Sequence, residues 1–202
     1  MSEVSAGLVR DLREKTGAGF MDCKKALAET GGDLDKAVTH LREKGLAAAA
    51  KRAGRTASEG QVASYIHANG KIGVLIEVNS ETDFVARTPE FQSLVKDLAM
   101  QVAAASPRYL RREDVPAATV DAERSICRAQ AAGTGKPAAV IEKIVDGKME
   151  KFFSEICLLE QPFIKEPQRS VGQLVTDAVA KIGENIVVRR FARFQLGEAS
   201  EA

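Results

Sequence analysis

Cys23 stands beside Lys24 and Lys25, and a thiol next to two ammonium groups could do covalent chemistry, because neighbouring positive charge stabilises the nucleophilic thiolate. No histidine lies nearby to act as a base. Cys23 also falls on the apolar side of its segment, with Phe20, Ala26 and Leu27, where cysteine behaves as a small inert hydrophobe. Cys127 and Cys157 bring the total to three, without a CxxC pair, so neither a disulfide framework nor zinc spacing is present. His40 and His67 are too few and too far apart in sequence to suggest a metal site. The run Gly133-Thr134-Gly135-Lys136 lacks the GxxxxGK[ST] spacing of a phosphate loop, and Pro137 stands where the hydroxyl residue would be. With no nucleophile beside a base and no metal set, the sequence predicts a protein that binds and does not catalyse, without cofactor or metal.

The stretch Val78 to Arg87 is the best candidate for that binding. Ile72, Val74, Ile76 and Val78 alternate with Gly73, Leu75 and Glu77, which predicts a strand with a buried face, ending at Asn79 and Ser80. Thr82 or Asp83 can cap a helix starting at Phe84, since their side-chain oxygens accept from free N–H groups of its first turn. Phe84 therefore sits at a strand-to-helix corner. From spacing alone, the ring is either a plug packed under its own sheet or a side chain presented outward.

The run TDFVAR, preceded by IEVNSE and followed by Phe91, closely resembles the core motif of elongation factor Ts, the guanine-nucleotide exchange factor for elongation factor Tu. The resemblance implies that Thr82, Asp83, Phe84 and Val85 form the partner-binding motif. It also implies that Asp83 and Phe84 reach the partner's nucleotide-binding domain near its magnesium, with Phe84 as a wedge. Elongation factor Tu, GDP-bound and nucleotide-free, is then the expected partner. Thr88 and Pro89 depart from the Asn and acidic residue usual in the family. Proline is well tolerated at a first helical position, so a local helix restart is expected there.

The surrounding elements predict an α+β chain. Three short helices are expected before residue 45: one carrying Val4, Leu8, Val9 and Leu12, one from Phe20 to Thr30, and one with Leu34, Ala37, Val38 and Leu41 that ends at Gly45. The segment TGAGFMDCKKALAETGGDLDKAVTHLREKG resembles the family's three-helix, ubiquitin-associated-like N-terminal domain. Leu46 to Glu59 reads as a helical extension fading into a linker, and KRAGRTASEG resembles the family's domain junction. The expected division is 1–53 for the three-helix domain and linker, and 54–202 for a core and dimerisation domain. In the core, strands at Gln61 to His67 and Lys71 to Asn79 join around Ala68-Asn69-Gly70, a hairpin signal. Asn185 to Leu196 supplies a third strand whose imperfect pattern allows a bulge. Helices are expected at Pro89 to Ala105, Asp121 to Ala132, Pro137 to Met149 and Val171 to Ile182, the last capped by Ser170. Lys151 to Leu159 can continue as helix, and the following EQPFIKEP reads as an extended turn with Phe163 as an isolated ring. GENIVVRRF matches the family's C-terminal signature, and the length resembles its short form, in which two subunits pair. A homodimer through an apolar edge around Ile186, Val188 and Phe191 is the corresponding expectation.

Composition narrows the alternatives. The 202 residues are 45% hydrophobic and 28% charged, with no apolar run near the roughly 20 residues a membrane helix needs. The charged N-terminus lacks a secretory h-region, so a cytoplasmic protein is expected. Lys plus Arg number 29 against 28 Asp plus Glu, which disfavours general nucleic-acid binding. Two rival readings are a ubiquitin-associated-type interaction module, indifferent to residues 80 to 85, and an RNA-binding translation protein using Lys51, Arg52 and Arg55.

Overall fold

The computed structural model describes residues 4–133 and 136–198. Helix α1, Ala6–Thr16, starts at Ser5, whose hydroxyl accepts from the Leu8 N–H, and stops at the left-handed Gly17. Helix α2 spans Phe20–Glu29 and α3 spans Leu34–Arg52, with Asp33 capping α3 by accepting from Lys36 N–H. Val9, Leu12, Cys23, Ala26, Leu27 and Ala37 close a small core among these three helices. Cys23 is fully buried there, as its place on the apolar face predicts.

The expected end of the third helix at Gly45 is wrong. α3 runs through it for two more turns. A Cβ at Gly45 would lie 3.2 Å from the Ala180 Cβ, so this glycine marks a close helix–helix approach and not a terminus. Ala49, one turn on, is buried in the main core. The helical extension expected from Leu46 is therefore part of α3, and only residues 53 to 58 remain as a connection.

Strands β1, Glu59–His67, and β2, Ile72–Ser80, form an antiparallel hairpin in register Glu59 to Ser80 and His67 to Ile72. Ala68, Asn69 and Gly70 all take positive φ in its tight turn, as the Asn-Gly signal anticipates. The short helix α4, Asp83–Ala86, is followed by the long α5, Pro89–Ala105. Phe91, Leu94, Val95, Leu98 and Val102 on α5 pack against Val74, Ile76 and Val78 of β2, so the amphipathic helix covers the hairpin.

Helix α6, Ala117–Ala132, begins earlier than the Asp121 expected, with Pro116 at its N-cap and the Pro116 carbonyl accepting from Val120 N–H at 3.2 Å. Helix α7, Ala138–Ile156, continues beyond Met149. The two bury Cys127, Ala131, Val145, Met149 and Phe153 between them. Of the turn expected at Gly133 to Lys136, Thr134 and Gly135 lie outside the described residues. EQPFIKEP is not an open turn: β3, Pro162–Phe163, pairs with β4, Glu166–Ser170, and Phe163 is buried in the main core. Helix α8, Val171–Ile182, has the predicted Ser170 cap, completed by Gln173 as a capping box, and ends at the left-handed Gly183.

Strand β5, Val187–Gln195, joins the free side of β2, giving the sheet order β1-β2-β5. Glu77 pairs with Arg190 whereas Val78 pairs with Val188, so Arg189 is the extra residue of the anticipated bulge. The apolar edge expected for a second subunit is corrected here. Ile186 and Val188 are buried in this chain's own core, and Phe191 packs against it.

Candidate functional site

The corner between β2 and α5 is assembled from backbone turns and then pinned by side chains from far along the chain. Ser80, fully buried, ends the strand and donates to the Thr82 carbonyl at 2.9 Å. Thr82 is the N-cap of α4, its hydroxyl oxygen accepting from Val85 N–H at 3.4 Å. Thr88 ends that single turn by donating to the Val85 carbonyl at 2.8 Å. It also starts the next helix by accepting from Phe91 N–H at 3.3 Å. Pro89 is the first residue of α5, as expected of a restart. Two helix starts thus lie six residues apart.

Within the four motif residues the side chains divide. Val85 is buried with Ala86 in the main core and anchors the corner from beneath. Thr82 is consumed in positioning, since both its N–H and its hydroxyl donate to Glu184, at 3.0 and 2.7 Å. Asp83 and Phe84 alone of the four point to solvent without a tie to the core. Asp83 Oδ2 accepts from Arg87 Nη2 at 2.7 Å, one turn away on the surface. Phe84 is 77% exposed, and so the plug alternative fails.

Sequence reasoning missed the residues that hold this geometry. Glu184 follows α8 at the left-handed Gly183 and is brought to Thr82 across 102 positions. Glu81, beside the corner, accepts from Asn185 N–H at 2.7 Å, and its other oxygen lies 3.6 Å from Arg55 Nη1. Buried Asn185 donates in turn to the Arg55 carbonyl at 2.7 Å. Gly183, Glu184 and Asn185 open the GENIVVRRF run, but nothing local in the sequence ties that run to residue 82. Arg55 is here a structural partner of this network.

The arrangement offers an aromatic ring and a carboxylate, side by side, on a one-turn helix fixed at both ends. Among the described residues no group of three or more His, Cys, Asp or Glu is placed to hold a metal. No described helix is long and apolar enough to cross a membrane. What the corner presents to a neighbour is the exposed Phe84 ring with the Asp83 carboxylate next to it in sequence.

Comparison with known proteins gives a consistent result. A family model described as Elongation factor TS matches residues 24–198. A protein of Anaeromyxobacter sp. (strain Fw109-5) named Elongation factor Ts is 64% identical over 201 residues, spanning 100% of this chain and 92% of that protein. Proteins of the same name from Heliobacterium modesticaldum and Geobacter sulfurreducens are 62% and 61% identical, covering 96% and 98% of this chain and 91% and 92% of theirs.

Proposed function

Because the chain belongs to the elongation factor Ts family, whose general function is nucleotide exchange on elongation factor Tu and not catalysis, we propose that Thr82, Asp83, Phe84 and Val85 form its exchange element. The observation that carries this reading is the exposure of Phe84 on a turn pinned from both sides. A large apolar side chain held rigidly in water loses little entropy on docking and gains the full benefit of burial. Phe84 acts as the wedge in the nucleotide-binding domain of elongation factor Tu. Asp83 exchanges its surface pairing with Arg87 for polar contacts near the partner's magnesium, disturbing the metal and phosphate contacts. Thr82 and Val85 hold the other two in place.

Exchange of this kind needs only differential binding: the factor favours nucleotide-free partner, and rebinding nucleotide expels it by the same coupling. A thousandfold faster release corresponds to a barrier lowered by about 4 kcal/mol. Burying one Phe contributes about 1.5–3 kcal/mol, so the rest comes from Asp83 and from surfaces that hold the partner in register. The N-terminal unit, 1–53, is proposed as one such surface, of the ubiquitin-associated type, with 54–202 as the core. The small apolar cluster of α1 to α3 supports that division, and α3 joins the two by packing on α8.

A second copy of the chain is the other proposed partner, now by a different surface. Val62 and Ile66 of β1, Leu75 of β2 and Phe194 of β5 are all exposed on the outer side of the sheet, with Ile66 and Phe194 flanking Gly73. An apolar sheet face of this kind suits packing against its own copy. Direct nucleic-acid binding is not part of the proposal. A cytoplasmic location accords with the family's role in translation.

The test is release of a fluorescent GDP analogue from elongation factor Tu, comparing wild type with Phe84→Ala and Asp83→Ala at one salt concentration. Wild type accelerates release, and both variants lose acceleration. A Phe84→Ala protein that binds the partner normally and exchanges at the wild-type rate refutes the wedge.

A further inference from the structure

We propose that the arginine-lined concavity between the loop after α5 and the bulge of β5 is a binding site for a small phosphate-bearing molecule. It has a volume of about 360 Å³. That lies near the lower end of the roughly 300–1,000 Å³ of small-molecule sites. Arg108 and Arg111 come from the loop, and Arg189 and Arg190 from the strand, so four arginines line one space in a chain whose charges otherwise nearly cancel.

The fold brings these residues together. A regular strand would send Arg189 and Arg190 to opposite faces. The bulge at Arg189 breaks the alternation, and both side chains are exposed. The loop wall is equally fixed. Arg108 and Tyr109 N–H groups both donate to the Ile156 carbonyl, at 2.8 and 3.0 Å, and Leu159 N–H donates to the Leu110 carbonyl at 3.0 Å. The backbone that carries the loop arginines is therefore held in place.

Its charges are incompletely balanced. Arg190 is engaged by Glu77 at 2.7 Å, and Arg111 by Asp114 at 3.4 Å. Among the described residues neither Arg108 nor Arg189 meets a carboxylate. Arg108 only overlies the Tyr109 ring, at 5.7 Å from its centroid. Two arginines without a carboxylate partner leave the lining with excess positive charge, which a bound anion would neutralise. Guanidinium forks match phosphate oxygens bidentately. A single carboxylate would balance one of the two, whereas a phosphate or diphosphate balances both. The limited volume, with Leu110 and Phe191 in its walls, suits a small molecule better than the track of a polymer backbone. None of the four motif residues lines it, so the inference stands independently of the exchange reading.

The experiment is calorimetric titration of the full chain with inorganic pyrophosphate, in parallel with orthophosphate and a short single-stranded RNA. The proteins compared are wild type, Arg108→Gln, Arg189→Gln, the double variant, and Arg13→Gln as a charge-matched control on α1. All three arginines replaced are exposed, and thermal melts verify that each variant is folded. Wild type is expected to bind pyrophosphate at submillimolar concentration, with the double variant weaker by about tenfold or more and Arg13→Gln unchanged. No binding of pyrophosphate or orthophosphate at millimolar concentration overturns the proposal. So does binding that survives the double substitution, or binding of RNA alone.

Discussion

Replacing Glu184 with Ala tests whether the proposed exchange corner is held by the residue that follows α8. The Glu184 carboxylate accepts two hydrogen bonds from Thr82, at 3.0 and 2.7 Å. Hydrogen bonds to an ionised acceptor contribute about 1.5–3 kcal/mol each when well shielded. Both lie at the surface, where water replaces much of what is lost, so the pair is expected to contribute about 1–2 kcal/mol in all. In a domain of this size that lowers the melting midpoint by about 2–8 °C. The larger consequence falls on function, because Glu184 fixes the cap of the turn that carries Phe84. Loss of about 1.4 kcal/mol of positioning would slow exchange about tenfold. Stability is read by urea unfolding, exchange by GDP release, and the origin of both effects by a double-mutant cycle with Thr82→Ala. If Glu184 acts through Thr82, the second substitution adds little once the first is made. Effects that add to within about 0.5 kcal/mol, or exchange unchanged in Glu184→Ala, refute the argument.

Three further outcomes follow from other parts of the structure. Gln101 is fully buried. Its amide nitrogen donates to Gln161 Oε1 and the Pro162 carbonyl, and its oxygen accepts from Ile164 N–H. Gln101→Leu strands these partners and should cost about 2–4 kcal/mol in urea unfolding, despite adding an apolar side chain. Gly60 has φ of +129°, and a Cβ there would stand 2.2 Å from the Val78 carbonyl oxygen, so Gly60→Ala should displace the start of β1 and cost more than about 1 kcal/mol by thermal melt. Burial, with a smaller contribution from Glu160, pushes the Cys157 thiol up to about 11 from 9.0. Its contribution to stability is therefore complete below pH 9.0 and is lost as pH rises towards about 11, because the unfolded chain ionises first. The loss should be visible as a falling urea midpoint over that range and should vanish in Cys157→Ala.

How much of this was legible in the sequence depended on whether the determinant was local. The alternation of Ile72 to Val78, the Asn69-Gly70 turn, the Ser170 cap and the restart at Pro89 all act within a few residues, and each appears in the fold as read. Gly45 misled because glycine has two meanings: it ends helices, and it lets them touch. Only the position of Ala180 distinguishes the two, and that lies 135 residues away. Ile186, Val188 and Phe191 were legible as apolar but not as to which side would bury them, since a single bulge resets the facing of a strand. The same bulge breaks the alternation at Arg189, and both it and Arg190 are exposed. At the corner, spacing located Phe84 but could not choose between a plug and an exposed ring. That choice rests on Val85 filling the core beneath it and on Glu184 and Glu81 tying down its flanks, polar contacts more than 100 positions apart that follow no periodicity. An outward-facing Phe on a short helix is stable only where the turn is held by something other than that ring. The distant carboxylates are thus the condition for the exposed ring that the proposed wedge requires.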